Sequence, residues 1–568
     1  MFNPYHFNAL AKEVKDEFTF FIDEISALFR DNIDWWVTPI ASRDTFGYFF
    51  FQEVCYALYA REIIKEDLPT EIVCCSRGLG KVIKSLIPLG IQVKISITEL
   101  WKTRIDKNEC VKSLIMGQRQ IKMVGSIVYG LFEAFKKHQA AKKTHNLKLT
   151  FNSEGGEWII DEFVFPYSFN DGNFESRHYV NFTDLIKADW VYLPTFIDIH
   201  DFTKTYRLMR QNDPPFIIRE DFLRFYDYIW SIGHIFRIVT FKRKSVTFRA
   251  IDISSIWNEH LFENIDGRIN ALLNYRLPKR LKECSIEIQG IIDWFENQIV
   301  DKAQNMGFRR AYPSVPIFGY EVPYFSEYGM HLQPTKMEDA AGIIPDVVGV
   351  IGKEAEEYVK YYNKGLKTCV VPALGYQHLW DVLDDDADKR EYVVFALPLV
   401  TNKAFEILNI AQETIKISDK EIMCLIKFHP SSDREEIFEY LDSKNIKERF
   451  YYHEGDLSSA LRNACVFVSS SSSVVLESLS KGIPVIIVGS LTELTHNPAI
   501  SSVPDDMLKI CYTAEDLLKN ILFYKTVSEE RRARFVYHGQ KLHEKYFEKT
   551  DKISINRFRE CLMSLANP

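Results

Sequence analysis

Short apolar runs rich in β-branched residues alternate with amphipathic segments through the C-terminal half of the chain. Residues 346–351 predict a strand, and residues 354–362 predict the helix that follows it. The same alternation predicts strands at 369–372, 392–397, 422–428, 465–468 and 484–488, and helices at 401–412 and 433–442. This pattern is typical of βαβ units around a parallel sheet. We therefore expect residues from about 340 to 525 to form one doubly wound domain.

The N-terminal half shows a similar but less regular pattern. Candidate strands lie at 34–40, 71–75, 92–97 and 190–193, and residues 110–143 predict one or two long helices. Residues 528–547 also have helical spacing. We expect an α/β protein of the following parts: an N-terminal Rossmann-like lobe with helical insertions (1–335), a C-terminal Rossmann-like lobe (336–525), and C-terminal helices that pack back on the first lobe (526–568).

Composition narrows the function classes. The 568 residues have a formal net charge of -8, so there is no basic excess with which to coat a nucleic acid. No apolar stretch approaches the roughly 20 residues needed to cross a bilayer, and residues 1–10 lack a secretory pattern. The ten cysteines have no metal-ligand spacing. We expect a cytoplasmic protein with reduced thiols.

Two polar segments follow predicted strands of the C-terminal domain. The first contains Lys427, His429 and Pro430, and the second contains Ser470, Ser471, Ser472 and Ser473. Open parallel sheets bind ligands at the carboxyl ends of their strands, so both segments predict one site. The serines would bind a phosphate at the start of a helix (474–481), with Lys427 and His429 as further donors. Glu477, one turn into that helix, would bind ribose hydroxyls.

A plainer interpretation stays open for each segment. A serine run before a helix can be only an N-cap in a flexible loop, and a lone His-Pro dipeptide is common. Residues 77–81, with the sequence RGLGK, have the full spacing of neither a dinucleotide-binding loop nor a P-loop.

Phe428-His429-Pro430, the serines and residues 475–486 together resemble the C-terminal lobe of GT-B glycosyltransferases. The combination is most similar to bacterial sialyltransferases and Kdo transferases, which use CMP-activated sugars. The resemblance covers about residues 345–490. It implies two lobes with a cleft between them, contacts of His429, Pro430 and Ser470 to Ser473 with CMP, and no metal or other cofactor. Similar motifs occur in CDP-glycerol polyol-phosphate transferases, so the donor stays open.

The other lobe should supply the acceptor site and a base. Residues 294–298, with the following Asp301-Lys302 and residues 317–321, resemble a passage of bacterial surface-polysaccharide transferases. A carboxylate at a strand end can deprotonate an acceptor hydroxyl, and Glu296 is the first candidate and Glu321 the second. Alternatively, Glu296 only caps the following helix.

Two further polar groups have a functional and a structural interpretation. Arg43 could bind a carboxylate of the acceptor or donor, although such an arginine more often ties a loop to a helix. Asp198, His200 and Asp201 have a spacing that could suggest a metal, but no further ligand is clustered with them, and we interpret them as a loop.

The predicted function is a metal-independent glycosyltransferase of surface-polysaccharide or lipopolysaccharide biosynthesis. It would transfer Kdo or a nonulosonic acid from a CMP-activated donor to a glycan or lipid-linked acceptor, and the latter would require an approach to the membrane. His429 would stabilise the leaving phosphate. A CDP-polyol phosphotransferase, a UDP-sugar transferase and a non-catalytic sugar-nucleotide-binding protein are the alternatives.

Overall fold

The computed structural model describes residues 2–66, 68–97, 119–145, 156–186, 188–321, 325–380, 390–419, 421–430, 432–470, 472–500 and 503–566. The strands in these ranges are β1 (Glu71–Cys74), β2 (Lys94–Ile97), β3 (Glu157–Val164), β4 (Phe169–Asn170), β5 (Asn173–Phe174), β6 (Trp190–Phe196), β7 (Thr247–Phe248), β8 (Ile251–Asp252), β9 (Ile288–Trp294), β10 (Ile317–Glu321), β11 (Val347–Val350), β12 (Thr368–Val370), β13 (Tyr392–Ala396), β14 (Cys424–Lys427), β15 (Phe450–His453), β16 (Ala464–Ser469), β17 (Val485–Val488) and β18 (Leu508–Cys511).

The α-helices are α1 (Pro4–Ala27), α2 (Ile33–Trp36), α3 (Pro39–Ser42), α4 (Phe50–Glu66), α5 (Arg77–Leu86), α6 (Arg119–Lys143), α7 (Phe182–Leu185), α8 (Phe202–Gln211), α9 (Phe225–Ile232), α10 (His234–Arg237), α11 (Ser254–His260), α12 (Ile265–Glu283), α13 (Ile299–Ala311), α14 (Lys336–Ala341), α15 (Lys353–Val359), α16 (Thr401–Ile417), α17 (Arg434–Ser443), α18 (Leu457–Leu461), α19 (Val474–Ser480), α20 (Ala514–Lys525), α21 (Glu529–Tyr546) and α22 (Lys552–Ala566). Residues 110–118 of the predicted long helix lie outside the described ranges.

Two parallel six-stranded sheets organise the chain. The second sheet has the order β15-β14-β13-β16-β17-β18, so its strands follow the Rossmann order 3-2-1-4-5-6 in chain sequence. The first has the order β12-β11-β10-β9-β3-β6, which is a flavodoxin-like order with a sixth strand added. The predicted α/β class with two Rossmann-like lobes is therefore confirmed. Each sheet has a point where the strand order reverses, between β13 and β16 and between β3 and β9.

The boundary between the lobes differs from the prediction. Strands β11 and β12, expected in the C-terminal domain, belong to the first sheet, because Phe318 of β10 pairs with Val347 and Val348 pairs with Thr368. The sheets therefore separate between Val370 and Tyr392, not at 335/336. A buried β-branched run predicts a parallel strand but contains no information about which sheet it joins.

Residues 34–40 are helical, contrary to the predicted strand. Helix α2 begins after Asn32, whose side chain accepts the N–H of Asp34, and α3 begins after Thr38, whose hydroxyl accepts the N–H of Ala41. Pro39 occupies the first turn of α3, where its missing N–H costs nothing. The apolar residues of this segment are buried as successive helix faces rather than as a strand.

The C-terminal helices connect the second lobe to the first. Helix α21 approaches α19 so closely that a Cβ on Gly539 would lie 2.6 Å from the carbonyl of Leu479. The chain then reaches the first lobe, where the N–H of Glu548 donates to the carbonyl of Ile351. Phe558 of α22 packs on the first sheet, with its ring 5.2 Å from that of Phe318. The end of the chain thus lies against the lobe in which it began.

Candidate functional site

The two polar segments of the second lobe lie at the point where its strand order reverses. Lys427 ends β14 and Ser469 ends β16, and these strands pair with opposite sides of β13. The Ser469 hydroxyl donates to the carbonyl of Ala396, the last residue of β13, at 3.1 Å. A crevice at the carboxyl ends of strands, where the order reverses, is the usual ligand site of such sheets.

His429 lies in a cationic environment beside this crevice. Burial, with the nearby charges of Arg177 and Lys427, lowers the pKa of His429 to about 4. Its imidazole is therefore neutral at pH 7 and can donate one N–H to a phosphate, but adds no charge. Burial also lowers the pKa of Lys427.

Arg177 is a site residue that the sequence did not indicate. It belongs to the first lobe, between β5 and α7, and its guanidinium donates to the hydroxyl of Tyr167 at 3.2 Å. Its charge lies close enough to His429 of the second lobe to contribute to the lowered pKa of that imidazole. Arg177 belongs to no recognisable motif and is distant in sequence from Lys427 and His429, so the sequence alone did not identify it.

The serine segment is only partly described, because Ser471 lies outside the described residues. Ser470, Ser472 and Ser473 are partly exposed. Ser473 precedes α19 in helical conformation (φ -59°, ψ -25°) and does not cap the helix with its side chain. The interpretation of the serines as only an N-cap is therefore not supported at Ser473.

Glu477 and Pro430 have different surroundings. Glu477 is buried, and its Oε2 lies 2.9 Å from Nε2 of His378, in the segment that connects the lobes. A ribose would therefore have to share this carboxylate with His378. Pro430 is exposed and follows His429 directly.

Glu296 follows β9 at the carboxyl edge of the first sheet. Its two carboxylate oxygens accept from Nε1 of Trp294 at 3.1 Å and from Nε2 of Gln298 at 2.9 Å, and burial raises the pKa of Glu296. The start of α13 is held instead by Asp301, which accepts the N–H groups of Glu296 and Gln298 at 3.0 and 2.9 Å. The alternative that Glu296 caps this helix is therefore wrong.

One short segment connects Glu296 with the second lobe. His178 follows Arg177, and its ring centroid lies 4.1 Å from that of Trp294. The Nε1–H of Trp294 in turn donates to Oε1 of Glu296, and the charge of Arg177 contributes to the lowered pKa of His429. Residues 177–178 therefore lie near Glu296, through Trp294, and near His429.

Glu321 and Arg43 do not fit their predicted roles. Glu321 is only 2% exposed, neither carboxylate oxygen has a hydrogen-bond partner among the described residues, and burial raises its pKa well above the ordinary value. A buried carboxyl that retains its proton is not a base. The Arg43 guanidinium is also buried and donates to Glu338 at 2.5 Å and to the carbonyl of Met330 at 3.1 Å. Arg43 therefore ties two parts of the first lobe together, and its predicted carboxylate-binding role is wrong.

Arg43 belongs to a set of buried charges that we call the ion-paired cluster: Asp23, Arg43, Lys302 and Glu338. The Nζ of Lys302 lies 2.6 Å from Oε1 of Glu338. Although burial alone would raise it, the charges of Arg43 and Lys302 lower the pKa of Glu338 to about 2. The pKa of Asp23 is raised by burial to about 6, so at neutral pH two cations face two carboxylates.

A second buried set, which we call the aspartate cluster, consists of Asp161, Asp293 and Asp301. One carboxylate oxygen of each lies within 4.8 Å of the others. Burial, followed by the mutual repulsion of the carboxylates, raises the pKa of Asp161 and that of Asp293 to about 8. By contrast, Asp198 and His200 are exposed, as expected for a loop, and Asp201 caps α8.

Several solved structures of other proteins are similar to this chain at low identity. No protein-family model matches the chain, and no curated protein matches its sequence. The S. aureus MnaA–UDP structure is 11% identical, with 71% of this chain and 94% of that chain covered and a TM-score of 0.39. The lipopolysaccharide outer core galactosyltransferase WaaB in its apo form is 12% identical (72% and 99% covered, TM-score 0.38). α,α-Trehalose 6-phosphate synthase from Burkholderia multivorans is 9% identical (72% and 97% covered, TM-score 0.41).

These similarities are too distant to assign an activity, and the two Rossmann-like lobes rest on the strand order itself. Within the described ranges, no helix combines the length and the apolar character needed to span a membrane.

Proposed function

We propose that this protein is a glycosyltransferase that uses a nucleotide-activated sugar and binds it in the cleft between the lobes. The observation that supports this most is the convergence of Lys427, His429 and Arg177 at the point where the second sheet reverses its strand order. Donors from both lobes can hold a phosphate there, and closure of the cleft would exclude the water that hydrolyses activated sugars.

The proposed donor is a CMP-activated acidic sugar of the Kdo or nonulosonic type. Such a donor has one phosphate and one sugar carboxylate, and two basic side chains, Lys427 and Arg177, would bind them. The serines would supply hydroxyl donors to the phosphate or the ribose. The proposed acceptor is a glycan, either alone or lipid-linked, of a surface polysaccharide or lipopolysaccharide.

In the proposed reaction, Glu296 accepts the proton of the acceptor hydroxyl as that oxygen attacks the anomeric carbon. Trp294 and Gln298 orient the carboxylate toward this task. As the bond to CMP breaks, negative charge grows on the phosphate, where Lys427, Arg177 and the N–H of neutral His429 stabilise it. Protein donors are sufficient for this step, so the proposal includes no metal at the phosphate.

The first test is a thermal-shift titration of the full chain with CMP, CDP, UMP, UDP and GDP. A ligand that binds only the folded state raises the melting temperature by mass action. We expect CMP to give the largest increase in melting temperature. In a separate turnover assay, the protein should release CMP from a CMP-Kdo or CMP-nonulosonate donor. A larger shift with UDP would replace the proposed donor with a UDP-sugar, and one with CDP would favour a polyol-phosphate transferase. Binding without turnover of any donor would favour a non-catalytic binding protein.

Arg177→Ala tests whether the first lobe contributes to this site. This substitution removes a charged hydrogen bond to the phosphate, and we expect it to weaken nucleotide binding by about 10- to 100-fold. The matched control is Lys364→Ala, which removes a cation that is 69% exposed and paired with Glu357. Unchanged affinity in Arg177→Ala would remove this residue from the phosphate site.

A further inference from the structure

The aspartate cluster lies where the first sheet reverses its strand order, between β3 and β9. Ile160 pairs with Ile292, so the next residues, Asp161 and Asp293, lie side by side on adjacent strands. Asp301 approaches them from the start of α13. Three carboxylates therefore meet at the position in this sheet that is equivalent to the nucleotide crevice of the second lobe.

No basic side chain of the described residues forms an ion pair with the aspartate cluster. Lys302, which follows Asp301, is directed away from it to Glu338 and to the carbonyl of Ala41. The partners that the cluster does have are neutral: the Thr195 hydroxyl donates to Asp161 at 3.1 Å and backbone N–H groups donate to Asp301. Carboxyl groups buried side by side need either protons or a positive charge to compensate them.

Two buried oxygen atoms beside the cluster lack a donor. Asp293 and Asn305 are both 0% exposed. Nδ2 of Asn305 donates to Oδ2 of Asp293 at 2.8 Å, which turns this amide toward the cluster. Oδ1 of Asp293 and Oδ1 of Asn305 nevertheless have no hydrogen-bond partner among the described residues. Beside three carboxyl groups, an ion is one partner that would satisfy both of these oxygens.

We propose that Asp161, Asp293 and Asp301, with the amide oxygen of Asn305, bind one divalent cation of the oxygen-preferring class that comprises Mg²⁺, Mn²⁺ and Ca²⁺. Two oxygens that bind the same Ca²⁺ at 2.3–2.6 Å can be up to about 5 Å apart, and the carboxylate oxygens here lie within 4.8 Å of one another. A cation would neutralise the carboxylates and satisfy both unpaired oxygens.

This ion would be a structural element behind Glu296 rather than a part of the nucleotide site. Asp301 accepts the backbone N–H of Glu296, so an ion that holds Asp301 would also hold the loop on which Glu296 lies. The proposed phosphate site consists of Lys427 and His429 of the second lobe together with Arg177. The cation proposal therefore does not depend on the donor or on the activity.

The experiment measures the ion directly. The full chain, purified without chelator, is denatured and analysed by inductively coupled plasma mass spectrometry, and we expect about one divalent ion per chain. After treatment with EDTA and desalting, addition of MgCl₂, MnCl₂ or CaCl₂ should raise the melting temperature with saturation. Tb³⁺ bound at the same place should luminesce on excitation of Trp294, which adjoins Asp293, and the effective metal should displace it.

Asp293→Asn is the decisive variant, because it keeps the shape of the side chain and removes the negative charge with which this residue would bind a cation. It should have wild-type circular dichroism and should raise the half-saturating metal concentration by at least about tenfold. Asp198→Asn, in the exposed loop, is the matched control and should bind metal as the wild type does. Absence of a bound ion together with no thermal shift, or an equal shift in wild type and Asp293→Asn, would overturn the proposal.

Discussion

The ion-paired cluster and the aspartate cluster are both buried in the first lobe, but, within the described ranges, only in the first are the carboxylates compensated by basic side chains. In the ion-paired cluster, Arg43 and Lys302 compensate Glu338 with protein groups alone. In the aspartate cluster, three carboxylates meet without such a partner. Asp301 and Lys302 are consecutive residues of α13, and the roughly 100° turn between consecutive helix positions directs one to each cluster. Helix α13 therefore supplies an ion-pair partner to the ion-paired cluster through Lys302, whereas the aspartate cluster, which contains Asp301, requires a proton or a cation.

Glu296 and Asn297 lie at the junction of the two clusters. The N–H of Glu296 donates to Asp301, and Nδ2 of Asn297 donates to Oε1 of Glu338 at 3.2 Å. Asn297 has a left-handed backbone (φ 53°), a conformation that asparagine tolerates better than most residues. The candidate base is thus held on a loop that is fixed from both sides.

The largest expected effect is the loss of catalysis on substitution of Glu296, which lies on the loop between the two clusters. Glu296→Gln retains the acceptor toward Trp294 and removes the ability to take up a proton. We expect transfer to fall by about 10²- to 10⁴-fold, the usual contribution of general base catalysis, with CMP affinity unchanged. Initial rates and a CMP thermal shift measure the two effects. Full activity in this variant would exclude Glu296 as the base.

Removal of the shared carboxylate should break the ion-paired cluster. Glu338→Ala leaves Arg43 and Lys302 buried without an anion, and we expect a loss of about 3–5 kcal/mol in the free energy of unfolding of the first lobe. Chemical denaturation followed by tryptophan fluorescence measures this change. Glu454→Ala, which removes an exposed partner of Arg434, should leave the midpoint unchanged. Equal effects of the two substitutions would contradict the expectation that a buried ion pair contributes more to the free energy of unfolding than an exposed one.

The same carboxylate predicts a pH dependence. Because the pKa of Glu338 is lowered from 4.5 to about 2 in the folded state, its contribution to stability is present above pH 4.5 and is lost as the pH falls toward 2. The contribution is on the order of 3 kcal/mol. The difference in unfolding free energy between wild type and Glu338→Gln should therefore shrink from pH 5 to pH 3. A difference that stays constant over this range would refute the assigned ionisation.

The smallest expected effect is a difference in sign between the stability changes caused by an amide substitution in each cluster. In excess EDTA at about pH 9, above the pKa of about 8 of Asp161 and Asp293, Asp293→Asn should stabilise the protein by up to about 1 kcal/mol, because it removes one of two like charges on adjacent strands. The corresponding amide in the other cluster, Glu338→Gln, should destabilise it. Thermal melts of the two variants in the same buffer test this opposition, and destabilisation by both would show that the clusters do not differ in the proposed way.

Strands β13, β14, β16 and β17 of the second lobe were predicted because each is an apolar run, whereas the edge strands β15 and β18 were not predicted. Strand β3 was not predicted, since Glu157, Asp161 and Glu162 interrupt its hydrophobic pattern, although all three are buried. Lys427, His429 and the serines could be proposed as a site from the sequence because they lie at or just after the ends of strands. Arg177 and the aspartate cluster were not, because their partners are distant in sequence.

The sequence by itself determined the alternation of strands and helices, the α/β class and the polar segments at strand ends, since these depend on local hydrophobic periodicity. Tertiary structure alone decided which sheet β11 joins, because any buried β-branched run fits either sheet. It also decided that Arg43 is an internal partner and that Asp161 meets Asp293. The energy of a buried charge depends on the neighbours that the fold supplies, and those neighbours come from distant parts of the chain.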